Sequence, residues 1–134
     1  MRTRFLIVDD SDLVRRSLRT VLQANPDWEI CGEASNGADA VEAFKELHPN
    51  VVIVDFKMSG MHGIEAARLM LESAPAVPIV MFTEHSSAEL ERRAVEVGIR
   101  SVVSKMDAFP MVGIIKALLG PGAPEPKLEE TTEK

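Results

Sequence analysis

The sequence predicts an α/β protein, a doubly wound parallel sheet of five strands with helices on both faces. Five short apolar runs carry the reading: "FLIV" (5–8), "EICGEA" (29–34), "VVIV" (51–54), "PIVMF" (78–82) and "SVVS" (101–104). Three of them are nearly continuous in β-branched and other apolar residues, as strands covered on both faces require. Helical periods lie between the runs, and strict alternation of strand and helix implies a parallel sheet. At 134 residues the chain fits one domain. That length suits a three-layer sandwich; an eight-stranded barrel needs about 250 residues.

The helices follow in order. Residues 11–24 place Leu13, Val14, Leu18, Val21 and Leu22 on one face. Asn36 can cap 37–47, where Val41, Phe44 and Leu47 recur at helical spacing. Residues 64–74 repeat Ile64, Ala67, Met70 and Leu71. "SSAE" (86–89) is a capping box with Ser86 at N-cap and Glu89 at N3. It opens a helix with Leu90, Ala94 and Val97 inward, stopped by Gly98. Residues 109–119 hold Phe109, Val112, Ile115, Leu118 and Leu119, ended by Gly120 and Pro121. The domain is therefore expected over 1–120. The Pro- and Glu-rich stretch 121–134 is expected to be a disordered acidic tail.

Composition excludes several functions. A net charge of −6 argues against sequence-independent nucleic-acid binding and against an anionic membrane surface. No apolar run approaches the length that spans a bilayer. The apolar run at the N-terminus is too short for a signal-peptide core. The single cysteine, Cys31, has no partner for an internal disulfide, which suits a reducing cytoplasm, and is expected to be a small buried hydrophobe. His48 is expected to be exposed and His62 to start a helix. Neither forms a close-spaced metal motif with Cys31.

In open α/β sheets, chemistry gathers at the carboxyl ends of the strands. Here those ends carry Asp9 and Asp10, Asp55, Thr83 and Lys105. With strand order 2-1-3-4-5, the first and third strands are neighbours and the five side chains converge on one small site. Three carboxylates in one cleft repel, by roughly 4 kcal/mol for two charges about 4 Å apart at an effective dielectric of 20. Mg²⁺ removes that penalty, since it takes oxygen ligands from one or two carboxylates plus waters and phosphate oxygens. A metal beside an accessible carboxylate, a lysine and a threonine hydroxyl is what phosphoryl transfer requires. A carboxylate can also serve as the nucleophile and become an acyl phosphate.

These residues give the chain a resemblance to the receiver domain of two-component response regulators, which has the flavodoxin-like three-layer fold. The resemblance covers residues 4 to about 119 and rests on "VDD" (8–10), "VVIVDFKMSGMHG" (51–63), "IVMFT" (79–83) and "SVVSK" (101–105). It implies that Asp55 is the phosphoacceptor. It implies that Asp9, Asp10, Asp55 and the backbone carbonyl of Lys57 hold Mg²⁺, and that Thr83 and Lys105 bind phosphoryl oxygens. It implies a histidine kinase or phosphotransfer protein as donor. The output is then an unknown downstream protein that reads the fourth helix, fifth strand and fifth helix, with a homodimer through the same helices left open. The chain is expected to be a stand-alone cytoplasmic signalling domain, not an enzyme acting on external substrates. Its style is that of receivers usually fused to helix-turn-helix outputs.

Several positions depart from the family pattern. Ser59 replaces a proline and His62 an acidic or amide residue. Met106 replaces a proline that is often preceded by a cis bond, so a trans bond is expected. Val102 stands where the family often has a switch aromatic, and Glu84 where it usually has Ala or Gly. Glu84 is expected to face solvent, while Lys57 and His85 sit where the family tunes access of hydrolytic water. These departures motivate an alternative, a receiver-like binding module that works without phosphorylation. Two further rivals fit less well. A phosphohydrolase of the haloacid dehalogenase type needs Asp-x-Asp after its first strand and a cap domain. A flavodoxin needs a Ser/Thr-rich phosphate loop where this chain has "DDSDLVRRS".

Overall fold

The computed structural model describes residues 2–84, 86–108 and 110–120. The elements alternate as β1 (Thr3–Val8), α1 (Asp12–Gln23), β2 (Trp28–Ala34), α2 (Gly37–Leu47), β3 (Val51–Val54), α3 (Gly63–Ser73), β4 (Ile79–Thr83), α4 (Ala88–Val97), β5 (Ser101–Ser104) and α5 (Met111–Leu119). All strand pairings are parallel, in the order β2-β1-β3-β4-β5. The expected five-stranded doubly wound sheet is the observed one. The tail 121–134, Phe109 and His85 lie outside the described residues.

Alternation along the strands divides the core. Leu6, Val8, Val52, Val54, Ile79 and Met81 face α2, α3 and α4, where they meet Phe44, Ile64, Met70, Leu90 and Ala94. Phe5, Ile7, Val51, Ile53, Val80 and Phe82 face α1 and α5, where they meet Leu18, Leu22, Met111 and Ile115. Successive strand residues thus serve opposite layers. This is why "FLIV" and "VVIV" carry no polar residue.

Three expectations need correction. Leu13 and Val21 of α1 are 67% and 47% exposed. The buried stripe is centred on Leu18 and Leu22, and at 3.6 residues per turn Leu13 falls half a turn from Leu22. Cys31 is half-buried, because β2 is an edge strand whose middle residues are only partly covered. Burial still pushes its thiol pKa up, against the partial relief from Arg4. The third correction concerns the start of α4, where the N-cap is Ser87, whose Oγ accepts the Leu90 N–H at 3.1 Å. Ser86 instead donates from its Oγ to Glu91 at 2.9 Å on the exposed surface. Ser87→Ala is therefore expected to cost about 1 kcal/mol in chemical denaturation, and Ser86→Ala distinctly less.

Candidate functional site

The site forms where β1, β3 and β5 end. Asp55 is set beside β1 by its N–H, which donates to the Val8 carbonyl at 3.0 Å. The Asp9 N–H donates to the Ala34 carbonyl at 3.0 Å, tying the end of β1 to β2. Lys105 is fixed at the end of β5 by its N–H, which donates to the Thr83 carbonyl at 2.8 Å. Ser11 then caps α1, accepting the Val14 N–H at 3.2 Å, so the chain turns away immediately after Asp9 and Asp10.

The result is a cleft of about 290 Å³ lined by Asp9, Asp10, Ser11, Val14, Asp55, Lys57, Glu84 and Lys105. Carboxylate oxygens of Asp9, Asp10 and Asp55 all lie within 4.8 Å of one another. Asp9 and Asp55 are buried and Asp10 is exposed. The Lys105 ammonium bridges the buried pair, 2.7 Å from Asp9 Oδ2 and 3.2 Å from Asp55 Oδ2. Asp9 Oδ1 accepts the Ser11 N–H at 3.0 Å.

These contacts set the electrostatics. Burial raises the Asp55 pKa, the Lys105 charge lowers it, and the Asp9 charge raises it again. Hydrogen bonds from Lys105 and the Lys57 backbone N–H also pull it down, but the balance stays above the ordinary carboxylate value. For Lys105, burial works to lower the ammonium pKa. The hydrogen bond it donates to Asp9 and the charges of Asp55 and Asp9 outweigh it, so its pKa lies above the usual lysine value.

Of the expected site residues, Asp9, Asp10, Asp55, Lys57 and Lys105 come together around the cleft. Thr83 ends β4 next to them but is fully buried and is not among the described residues lining the cleft. Four of the five strand-end side chains therefore line the cleft, and Thr83 is buried. Glu84 is exposed, as expected, yet lines the same cleft. Val102 is half-buried and packs on the core face that carries α4. No cis peptide bond occurs among the described residues, in line with the trans bond expected at Met106, whose side chain is 85% exposed. His48 is exposed at the end of α2. His62 stands at the N-cap of α3, its ring 5.2 Å from Phe56. Sequence reading did not single out Arg15, whose guanidinium donates to the Asp9 carbonyl at 2.6 Å. Its only signal was a basic residue on the first turns of the helix that follows the aspartates.

An oxygen-only donor set with three carboxylates within reach of one point fits a hard divalent cation such as Mg²⁺. It would not suit a soft metal, which wants thiolate or imidazole.

The sequence profile of the response regulator receiver domain matches residues 5–114. A protein-glutamate methylesterase/protein-glutamine glutaminase of Methanosarcina acetivorans is 47% identical over 92 residues, which are 66% of this chain and 26% of that protein. The transcriptional regulatory protein LiaR of Bacillus subtilis is 34% identical over 126 residues, 94% of this chain and 59% of that protein. The chain thus spans about a quarter and about three fifths of these curated relatives' lengths. A crystal structure of a two-component response regulator of the LuxR family from Aurantimonas sp. SI85-9A1 superposes with a TM-score of 0.84 at 30% identity, over 89% of this chain and 86% of that one.

Proposed function

Since the chain belongs to the response regulator receiver domain family, we propose that it is a phosphorylation-switched signalling module with Asp55 as phosphoacceptor. The donor is a histidine kinase or phosphotransfer protein, and the output is a protein–protein contact through α4, β5 and α5. The observation that carries this reading is the cleft in which Lys105 bridges two buried carboxylates while a third carboxylate, Asp10, faces solvent.

Asp9, Asp10, Asp55 and the Lys57 carbonyl would hold Mg²⁺. When bound, the cation neutralises the carboxylates and offsets charge on the phosphoryl oxygens. An Asp55 carboxylate oxygen attacks phosphorus and the bond to the donor's leaving atom breaks, leaving an acyl phosphate on Asp55. Lys105 already stands 3.2 Å from the Asp55 oxygen, so its ammonium can follow the new charge and bind a phosphoryl oxygen. Thr83 would bind a further phosphoryl oxygen, for which its hydroxyl, buried as it stands, has to be uncovered. The Arg93 guanidinium of α4 lies 5.9 Å over the Phe56 ring, so α4 touches the residue that follows Asp55. A shift at the phosphoacceptor loop then has a direct route to the output face.

Intact-mass measurement with Mg²⁺ and a small-molecule phosphodonor tests this. Wild type is expected to gain one phosphoryl group, Asp55→Asn none, and chelator should abolish the gain. Incorporation into Asp55→Asn at the wild-type level would place the acceptor elsewhere. The alternative of a phosphorylation-independent module draws on one observation, the additional carboxylate Glu84 in the cleft lining. A folded wild type whose mass never changes, and whose partner binding survives Asp55→Asn, would favour it.

A further inference from the structure

The phosphoacceptor chemistry uses the side chains of Asp9 and Asp10, but the peptide bond between them is also held. Arg15 Nη1 donates to the Asp9 carbonyl at 2.6 Å. That carbonyl belongs to the peptide unit joining Asp9 to Asp10, and a peptide unit is planar. Fixing it fixes the direction in which the chain leaves each aspartate. One carboxylate is then buried beside Lys105 and the next stands exposed in the same cleft, within 4.8 Å of it. Arg15 is itself held. Its Nε donates to Glu33 Oε1 of β2 at 3.0 Å, and its Nη2 pairs with Asp12. Arg19 takes the other oxygen of Glu33, so that carboxylate is clamped from two sides. The Arg15 side chain is only 15% exposed, and each of its three guanidinium nitrogens has a partner within the protein.

We propose that Arg15, oriented by Glu33, is a positioning residue that presets the Asp9–Asp10 peptide for Mg²⁺ binding. This rests on the metal role proposed above for those aspartates. The guanidinium touches neither carboxylate of the buried pair, so it acts through the backbone. Its charge and its geometry have opposite consequences. As a nearby positive charge, Arg15 disfavours a second cation, and its removal would tighten Mg²⁺ binding. As a clamp, it orders the ligands, and its removal weakens binding.

Calorimetric titration of the full chain with Mg²⁺ separates the two. Arg15→Gln removes the charge and the fork, and Arg15→Lys keeps the charge and loses the fork. Both are expected to weaken Mg²⁺ binding by about tenfold, the scale on which partners of metal ligands act. Glu33→Gln, which leaves Arg15 in place but loosens it, is expected to weaken it less, and it carries the test if the Arg15 variants do not fold. Unchanged or tighter binding by Arg15→Gln, or wild-type affinity in Arg15→Lys, overturns the proposal. Wild type that takes up no Mg²⁺ defeats the metal role itself. The clamp is then judged by amide exchange at Asp10 and Ser11 without metal. Faster exchange in both Arg15 variants supports it, and unchanged exchange overturns it.

Discussion

Gly63→Ala is expected to be among the most damaging single-methyl changes in the protein, and to act on Asp55, the proposed phosphoacceptor. A Cβ at Gly63 would fall 2.0 Å from the Asp55 carbonyl oxygen, 2.9 Å from its carbonyl carbon and 3.0 Å from Phe56 Cα. All three atoms are backbone, so no side chain can swing aside. The same contact is a designed approach, since the Gly63 N–H donates to the Phe56 carbonyl at 2.8 Å and brings the start of α3 against the end of β3. Relief requires moving either α3 or the Asp55 peptide. We expect a loss of about 3 kcal/mol, the upper end of the usual overpacking cost, read by chemical denaturation. Phosphoryl incorporation should fall as well, even where the variant is fully folded. Gly113→Ala is the control. It lies within α5, a Cβ there meets nothing within 4 Å, and alanine is the better helix former. It is expected to be neutral or to stabilise by about 0.5 kcal/mol. If Gly63→Ala behaves like Gly113→Ala, the close approach at Asp55 is not tight.

The sheet and its order were legible because physics wrote them into local pattern. A strand buried on both faces has no polar position to spare, so "FLIV" and "VVIV" announce themselves, and alternation with helices leaves a parallel sheet. The acidic cleft was legible for the same reason: Asp9, Asp10, Asp55 and Lys105 each sit one or two residues after such a run. What the sequence hid was decided by contacts between distant elements. Leu13 looks like a core residue, but which stripe of α1 turns inward depends on the sheet and α5 beneath it. Ser86 and Ser87 offer the same hydroxyl at adjacent positions, and only the backbone entering α4 selects Ser87. Arg15 reads as a surface charge until Glu33, from β2, and the Asp9 carbonyl are seen around it. Thr83 was legible as a strand end, but nothing in "IVMFT" shows that it ends fully buried.

Lys105→Met is expected to separate two roles that one ammonium now combines. Without metal, Lys105 is the counter-charge for Asp9 and Asp55, which are both buried. Removing it leaves two carboxylates facing each other in the cleft, and losing one partner of a buried ion pair costs about 3 kcal/mol. The cost should depend on pH in a definite direction. The Asp55 pKa already lies above its ordinary value because burial outweighs the pull of Lys105. At Asp55 the folded chain therefore holds a proton that the unfolded chain has lost, and this group's contribution to stability falls as pH rises from the usual carboxylate range through the raised folded pKa. Losing Lys105 removes the largest lowering influence and extends that fall to higher pH. Mg²⁺ should restore most of the lost stability, because a ligand that binds only the folded state stabilises it. Its affinity should rise by about tenfold, a fraction of the roughly 4 kcal/mol that a unit charge exerts at about 4 Å and an effective dielectric of 20. If Lys105 were only a counter-ion, tighter Mg²⁺ binding would carry faster phosphorylation with it. If the ammonium also binds the arriving phosphoryl oxygens, phosphorylation must fall while Mg²⁺ affinity rises. We expect that divergence. Metal titration and phosphorylation rates measured on one preparation of the variant decide it, and a parallel rise in both would reduce Lys105 to a counter-ion.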